Sequence, residues 1–272
     1  MRILAAISLL ALSASCTTAP GAPRTQMAGA QGCASLTAAD LGANSASSAW
    51  VAATGALPAY CEVTATLTPV AGSEIGVVYR LPENWNGKVL GIGGGGWAGN
   101  ITLMAASEGL QKGYATMQTN GGNAGTDVWN NGWMAERPES AADFSHRAIH
   151  LMTVHGKQAA TNFYSRQPSQ SVYNGCSTGG RMGLMEAQRY PADYDAIIAG
   201  APVYTLQTQT SAVFRNQAFA AGGGAGAFNA ADLQLVQGAV LAQCDAADGL
   251  ADGIVNDPAS CNWQQMPVAN CL

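Results

Sequence analysis

Apolar and polar residues alternate in two early segments of this 272-residue chain. Residues 62–67 alternate and residues 75–81 do so again, so both are predicted to be half-buried β-strands. Short apolar runs at 88–92 and 114–119 predict two more strands, and residues 142–164 carry helical apolar spacing. Strands that alternate with helices in this way indicate a mostly parallel sheet in an α/β domain.

A serine framed by glycines follows another strand-like segment. Residues 175–179 read Gly-Cys-Ser-Thr-Gly, after strand-like residues 172–174 and before a helix predicted for 181–189. In this setting Gly-x-Ser-x-Gly is the nucleophile elbow of α/β-hydrolases, a sharp and strained turn at which neighbouring side chains would clash. The motif therefore predicts Ser177 as the nucleophile and the backbone N–H of Thr178 as an oxyanion donor.

Four consecutive glycines, residues 93–96, follow the strand predicted at 88–92. A glycine-rich loop after an early strand supplies the second oxyanion N–H in this fold, and Gly95 and Gly96 are the expected donors. The loop matches neither the dinucleotide nor the P-loop pattern, because Gly99 is followed by Asn-Ile and no lysine. Cys176 is an alternative nucleophile, but it precedes the apex of the turn, and a disulfide there is the preferred interpretation.

The three histidines, His146, His150 and His155, all precede Ser177. They lie on one predicted helix, where packing or surface roles are expected; a metal pair is the alternative, but it lacks a further ligand. In α/β-hydrolases the catalytic acid and histidine follow the nucleophile. As written, the chain lacks a base to activate the serine hydroxyl, so either the enzyme is inactive or the sequence is a fragment.

The N-terminus has the features of a signal peptide. Arg2 precedes an apolar stretch, residues 3–12, that is too short to span a bilayer, and small residues follow. Residues 1–24 are interpreted as signal peptide and leader, with Cys16 either a lipid-modified anchor or part of a simple secretion signal. Both alternatives predict export to an oxidising compartment. The net charge of −5 argues against nucleic acid and anionic membranes as partners, and no later apolar run is long enough for a transmembrane segment.

Two regions are expected after the leader. Residues 25–203 are predicted to form the core of an α/β-hydrolase, and residues 204–272 the start of an inserted lid domain. The second region contains a glycine-rich break at 222–226 and a helix predicted for 230–243. The fold class predicted is thus an α/β-hydrolase with an inserted lid, truncated at its C-terminus; the sequence does not define an oligomeric state.

An acidic, glycine-containing loop follows that helix. Hard oxygen ligands of this kind suit Ca²⁺, and the loop does not have the spacing of an EF-hand. The expected ligands are three carboxylates and two backbone carbonyls, namely Asp245, Asp248 and Asp252 with Leu250 and Ile254. The alternative is a solvated acidic turn.

Six cysteines follow Cys16, and their connectivity is not fixed by sequence. Loop-closure entropy favours the local pairs Cys33–Cys61 and Cys244–Cys261. Cys176 and Cys271 are then left without an obvious partner.

Taken together, these segments resemble the tannase and feruloyl esterase family, which includes enzymes that hydrolyse mono(2-hydroxyethyl) terephthalate. The resemblance extends from about Cys33 to Cys271. It rests on the Trp-Asn-Gly-Lys turn at 85–88, the glycine loop, residues 144–150 and 175–181, and the Cys-Asp and Asp-Gly pairs of the acidic loop.

The resemblance implies roles for the same residues. Ser177 would be the nucleophile, Thr178 an oxyanion donor, the acidic loop a structural calcium site of the lid, and the two local cysteine pairs disulfides. In the family, a cysteine beside the serine bonds one beside the catalytic histidine, so the partners of Cys176 and Cys271, and the triad Asp and His, are expected beyond Leu272.

The implied function is an exported serine esterase that acts on small aromatic esters of feruloyl or galloyl type through an acyl-enzyme. The alternative is an inactive, calcium-stabilised exported binding domain on the same scaffold.

Overall fold

The computed structural model describes residues 29–221 and 229–261. The predicted signal peptide and leader at 1–24, the anchor at Cys16, the glycine-rich break at 222–226 and Cys271 lie outside the described residues. The chain divides into two compact units, Met1–Tyr204 and Thr205–Leu272. The division falls one residue after the boundary expected from the sequence.

A seven-stranded sheet forms the centre of the first unit, in the order β1-β2-β3-β5-β4-β6-β7. Its strands in chain order are β1 Ser45–Val51, β2 Tyr60–Leu67, β3 Ile75–Pro82, β4 Lys88–Ile92, β5 Ala115–Thr119, β6 Gln170–Cys176 and β7 Ala196–Gly200.

The sheet is mixed, which corrects the expectation of a mostly parallel one. The pairs β1–β2, β2–β3 and β3–β5 are antiparallel, whereas β5–β4, β4–β6 and β6–β7 are parallel. The links between β1, β2 and β3 are short, so each reverses the direction of the chain and makes neighbouring strands antiparallel. Parallel neighbours need a longer crossover connection. The parallel half contains the segments that carry the candidate site.

Helices and single turns connect and cover these strands. In chain order they are α1 Ala30–Ala34, a 3₁₀ turn Ala39–Leu41, α2 Leu103–Gln111, α3 Trp133–Glu136, α4 Pro138–Ala142, a π-helical turn Asp143–Arg147, α5 Ala148–Tyr164 and α6 Thr178–Arg189.

Helices lie on both faces of the sheet, as expected for an α/β fold. On one face α5 and α6 meet the buried side chains of Met117 and Tyr173. On the other, Gly109 brings α2 against Leu90 and Thr116. The central strand β5 is buried along its whole length, whereas alternate residues of β4 and β6 are only partly buried or exposed.

The second unit is described as two helices and a turn: α7 Leu206–Ala221, α8 Ala230–Cys244 and a 3₁₀ turn Asp245–Asp248. The α8 helix begins at a capping box, in which the Asn229 side chain accepts from the N–H of Asp232 and the Asp232 carboxylate accepts from the N–H of Asn229. Within the described part of the whole chain, no helix is both long and apolar enough to cross a membrane.

Candidate active site

Ser177 occupies the turn between β6 and α6 in a strained backbone conformation. Its φ is 59° and its ψ is −119°, a region that residues with a side chain rarely adopt. Hydrogen bonds on both sides hold it there. The Ser177 N–H donates to the carbonyl of Gly200 at 3.1 Å, and its own carbonyl accepts from the N–H groups of Arg181 and Val203. The half-buried serine thus sits at the apex of a strained strand-to-helix turn, the backbone geometry expected of a nucleophile elbow; its role as nucleophile stays a prediction.

Three glycines meet at this elbow at distances that leave no room for side chains. A Cβ added to Gly93 would lie 2.5 Å from the Cα of Gly179 and 3.1 Å from the Cα of Gly175. A Cβ added to Gly175 would lie 2.4 Å from the carbonyl oxygen of Gly179. The Tyr173 hydroxyl lies beside them and donates to that same carbonyl at 2.8 Å. The tetraglycine loop therefore packs directly against the first turn of α6.

The predicted oxyanion donors lie on the two segments that meet here. Thr178 is buried at the first position of α6, where the opening N–H groups of a helix have no acceptor within it. In the loop, Gly93 and Gly94 contact the elbow, Gly95 has open space around it, and Gly96 lies against Val128. The Gly93 N–H donates to the carbonyl of Asn174, so it is already engaged. The assignment of Gly95 and Gly96 as donors stays a prediction.

Arg181, one turn after Ser177, is a residue of the site that sequence reasoning did not single out. Its side chain is buried, and its guanidinium donates to the carbonyls of Phe144 and Ser145, each at 2.9 Å. Burial lowers the pKa of this guanidinium, which nevertheless stays charged at neutral pH. Within the residues described, no carboxylate lies in salt-bridge range of Arg181. In the sequence, the only indication of this role was the position of Arg181 two residues after the Gly-x-Ser-x-Gly motif.

The histidines are held away from the elbow by other partners. His146 Nδ1 lies 3.0 Å from the Tyr190 hydroxyl, and His150 Nδ1 lies 2.6 Å from a carboxylate oxygen of Asp193. His155 Nδ1 lies 2.7 Å from the carbonyl of Leu41. These are the packing roles expected from the sequence. No group of three or more potential metal-ligating side chains occurs in residues 29–221 and 229–261, so the alternative of a histidine metal pair gains no further ligand.

Behind the elbow, α6 carries a carboxyl group that is fully enclosed. Glu186 is completely buried, and neither of its oxygens has a hydrogen-bond partner within the described structure. Burial raises the pKa of Glu186, and the nearby Asp193 raises it further. The Asp193 carboxylate is in turn paired with His150. Glu186 therefore remains protonated at neutral pH, so the core does not contain an ionised carboxylate at this position.

The acidic loop of the second unit folds around its own backbone. Asp245 accepts from the N–H of Gly253 at 2.9 Å, and Asp248 and Asp252 accept from the N–H groups two residues after each of them. Asp248 also accepts from Asn256, which holds the pKa of the Asp248 carboxyl below its ordinary value. The three carboxylates do not converge on one point within the described residues. The assignment of a calcium site to this loop stays a prediction.

Disulfides join Cys33 to Cys61 and Cys244 to Cys261. These are the two local pairs favoured on loop-closure grounds and implied by the family resemblance. Among the described cysteines, Cys176 is free and exposed; its expected disulfide to a more distant cysteine stays a prediction.

The fold and the turn at Ser177 place the chain among the α/β-hydrolases. A sequence profile described as tannase and feruloyl esterase matches residues 61–272. The chain belongs to the tannase and feruloyl esterase family.

Relatives agree with this assignment. The chain is 35% identical to a mono(2-hydroxyethyl) terephthalate hydrolase of Piscinibacter sakaiensis over 238 residues, covering 77% of this chain and 40% of the relative. It is 34% identical to an uncharacterized esterase of Xanthomonas campestris over 275 residues, covering 97% of this chain and 45% of the relative. The chain therefore spans less than half the length of these relatives.

Solved structures show the same fold. The crystal structure of feruloyl esterase B from Aspergillus oryzae superimposes with a TM-score of 0.76 at 30% identity, over 89% of this chain and 51% of that one. A tannin acyl hydrolase from Aspergillus niger superimposes with a TM-score of 0.62 at 24% identity, over 83% of this chain and 44% of that one.

The contact between the glycine loop and the elbow predicts that two neighbouring glycines respond differently to alanine. Gly93→Ala forces a methyl group into backbone atoms of Gly179, so we expect a loss of roughly 1–3 kcal/mol in unfolding free energy. Gly95→Ala is the matched control, because nothing lies within 4 Å of its added Cβ; its change should stay within about 0.5 kcal/mol. Urea unfolding of both variants measures this, and equal losses would contradict the close approach.

The enclosed carboxyl group predicts a pH dependence of stability. The folded state keeps Glu186 protonated, whereas the unfolded chain ionises it near its usual pKa of about 4.3. Above that value the folded state binds more protons, so stability falls as pH rises, by up to about 1.4 kcal/mol per pH unit. Glu186→Gln removes this dependence.

The measurement is the unfolding free energy between about pH 5 and pH 8, compared between wild type and Glu186→Gln. Glu108→Gln is the control, since Glu108 is exposed on α2 and its pKa is lowered by Lys112; it should retain the wild-type slope. Identical slopes for wild type and Glu186→Gln would show that Glu186 ionises in the folded state.

Proposed function

We propose that this protein is an exported serine esterase that hydrolyses small aromatic carboxylic esters through an acyl-enzyme. The observation that carries the proposal is the positive φ of Ser177, 59°, at a turn packed against the tetraglycine loop. A serine is held in this conformation at a cost of roughly 1–3 kcal/mol, and its effect is to present the hydroxyl at the end of β6. Membership of the family, and the names of the relatives above, support ester hydrolysis.

In the proposed reaction, the Oγ of Ser177 bonds to the acyl carbon of the ester and transfers its proton to a base. The carbonyl oxygen becomes an oxyanion, which accepts hydrogen bonds from the N–H of Thr178 and from an N–H of the glycine loop, with Gly95 and Gly96 the assigned donors. The alcohol leaves with the proton, and water then releases the aromatic acid from the serine. The proposal assigns the base to a histidine oriented by an aspartate, as in the Ser-His-Asp triad; the three histidines of the sequence all precede Ser177.

The remaining assignments follow from the same reasoning. The two disulfides support export, because such bonds persist in oxidising compartments. We assign the signal peptide and leader to residues 1–24, with Cys16 either a lipid-modified anchor or part of a simple secretion signal, and the lid to the second unit. The aromatic ester class is supported by the names of the relatives, a feruloyl esterase and a mono(2-hydroxyethyl) terephthalate hydrolase.

The nucleophile is tested in protein expressed from the complete reading frame. Ser177→Ala should reduce turnover of methyl ferulate, methyl gallate or mono(2-hydroxyethyl) terephthalate by at least roughly 10⁴-fold, because the proposed acyl-enzyme forms on the Ser177 Oγ. Ser169→Ala is the control: Ser169 lies just before β6 and bonds Gly87, so its removal should leave turnover within about threefold of wild type. Hydrolysis that survives Ser177→Ala would remove the assignment.

The same assay separates the enzyme from the binding-domain alternative. A complete protein that hydrolyses none of these esters, yet binds an aromatic acid by calorimetry, would be the inactive binding domain.

We also propose that Ca²⁺ binds the acidic loop, held by the carboxylates of Asp245, Asp248 and Asp252 and the carbonyls of Leu250 and Ile254. The support is the number of oxygen donors on a loop closed by the Cys244–Cys261 disulfide. When bound, the ion would fix the loop and take no part in the reaction at Ser177.

Calcium binding is measured by the shift in thermal unfolding on adding CaCl₂ after EDTA treatment. A saturating ion should raise the unfolding midpoint, since binding to the folded state stabilises it by about 2.7 kcal/mol at a hundredfold excess over Kd. The double variant Asp248→Asn/Asp252→Asn should abolish the shift, whereas Asp257→Asn, at the edge of the loop, should preserve it. The absence of a shift in the wild type would favour a solvated acidic turn.

A further inference from the structure

Phe144 stands between the two segments that carry the proposed oxyanion donors. It belongs to the π-helical turn Asp143–Arg147 and is 4% exposed. On one side the guanidinium carbon of Arg181 lies 4.9 Å from the centre of its ring. On the other side its ring stacks on Trp97, with centroids 5.3 Å apart and planes inclined by 25°. One buried ring therefore touches both α6 and the residue that follows the tetraglycine loop.

Each of these contacts is fixed by further bonds. Arg181 donates to the carbonyl of Phe144 itself, so its cation is held over the ring whose carbonyl it binds. The Trp97 N–H donates to the carbonyl of Val128, and the Trp97 carbonyl accepts from the side chain of Asn123 at 2.6 Å. A third aromatic ring, that of Trp133, meets Phe144 edge-on with centroids 5.4 Å apart.

The turn that carries Phe144 is itself anchored in the core. Asp143 is fully buried; its carboxylate accepts from Arg147 at 2.5 Å and from the Ser73 hydroxyl at 2.8 Å. A Cβ added to Gly122 would lie 2.6 Å from the Asp143 Cβ, so the next loop packs tightly on the same turn. The turn that carries Phe144 is therefore held by Asp143 independently of the glycine loop, and the bonds from Arg181 to the Phe144 and Ser145 carbonyls attach it to α6.

Oxyanion stabilisation depends on the spacing of two donors that come from separate segments. Both N–H groups have to lie within about 2.7–3.1 Å of a single oxygen, and a displacement of 1 Å can cost about a hundredfold in rate. The elbow fixes the donor on α6 through the bonds of Ser177. In the loop, Gly95 is exposed and a side chain added there would meet open space, whereas the Trp97 N–H bonds the Val128 carbonyl, so the contacts of Trp97 restrain this end of the loop.

We propose that Phe144 is a positioning residue, which holds the tetraglycine loop in register with the elbow by packing between Trp97 and Arg181. This inference rests on the proposed esterase function for its kinetic consequence, but the restraint on the loop does not depend on activity. Phe144 touches neither the substrate nor Ser177 in this assignment, and it acts through the placement of the loop N–H groups.

The kinetic test compares two phenylalanines of equal burial. Phe144→Leu should lower kcat roughly ten- to hundredfold and leave KM within about threefold, because oxyanion contacts form chiefly in the transition state. Phe163, also 4% exposed, lies near the C-terminal end of α5 and packs edge-on against Tyr164. Phe163→Leu should lower the unfolding midpoint by a similar amount and leave kcat within about threefold. Equal losses of kcat in both variants would overturn the proposal.

A second pair of variants covers the possibility that Phe144→Leu fails to fold. Trp97→Phe preserves the stack and should retain kcat, whereas Trp97→Leu should lose it to the extent that Phe144→Leu does. Combining Trp97→Leu with Phe144→Leu should add less than about threefold, because both changes release the same loop. Fully multiplicative losses would show that the two residues act separately.

Hydrogen–deuterium exchange gives a readout that needs no turnover. The Trp97 amide, which donates to the Val128 carbonyl, should exchange at least about tenfold faster in Phe144→Leu and at the wild-type rate in Phe163→Leu. Unchanged exchange in Phe144→Leu would refute the restraint, whatever the activity. If the wild type shows no Ser177-dependent hydrolysis while exchange changes as expected, the proposed function fails and the restraint on the loop is retained.

Discussion

The approach of three backbone segments at Gly93, Gly175 and Gly179 is the constraint on which the candidate site depends. The end of β4, the end of β6 and the start of α6 come so close that even one methyl group would overlap backbone atoms. The contact lies at the carboxyl ends of the parallel strands β4 and β6, and ligand sites in α/β proteins lie at such strand ends. Close packing there offsets the backbone strain at Ser177, because the surrounding hydrogen bonds define a single conformation.

The electrostatics around the elbow follow from the same enclosure. The α6 helix carries a buried cation, Arg181, near its start and a buried neutral acid, Glu186, further along. The π-helical turn supplies carbonyl acceptors for the cation: the Ala148 N–H bonds to Asp143, five residues back, and so it leaves the Phe144 carbonyl that a regular α-helix would engage. Two nitrogens of this cation thus donate to backbone carbonyls and its guanidinium carbon lies over an aromatic face, whereas the Arg181 Nε has no hydrogen-bond partner within the described residues.

The fold and the elbow could be predicted because their patterns lie within short stretches of sequence. Features that are defined by contacts between residues far apart in the chain could not be predicted in this way. Strands β2 and β3 were recognised within two residues of their ends from alternation alone. Strand β1, which reads Ser-Ala-Ser-Ser-Ala-Trp-Val, has no such pattern, because it lies at the sheet edge and is defined by its pairing with β2. The same holds for the site: the glycine-framed serine is one short motif, whereas Phe144 and Trp97 meet across 47 positions of the chain.

The separate roles of the four loop glycines could not be distinguished from the sequence. Four identical residues gave no basis for ranking them, and Gly95 and Gly96 were chosen from their order. In the structure, Gly93 and Gly94 face α6 and Gly96 turns toward Val128, so the four positions have separate tasks. Gly93 has to be glycine because a backbone lies against it, and Gly96 because its φ is 57°. Gly95 is subject to neither requirement; a close approach of the backbone to a ligand, as its proposed donor role requires, would account for a glycine there.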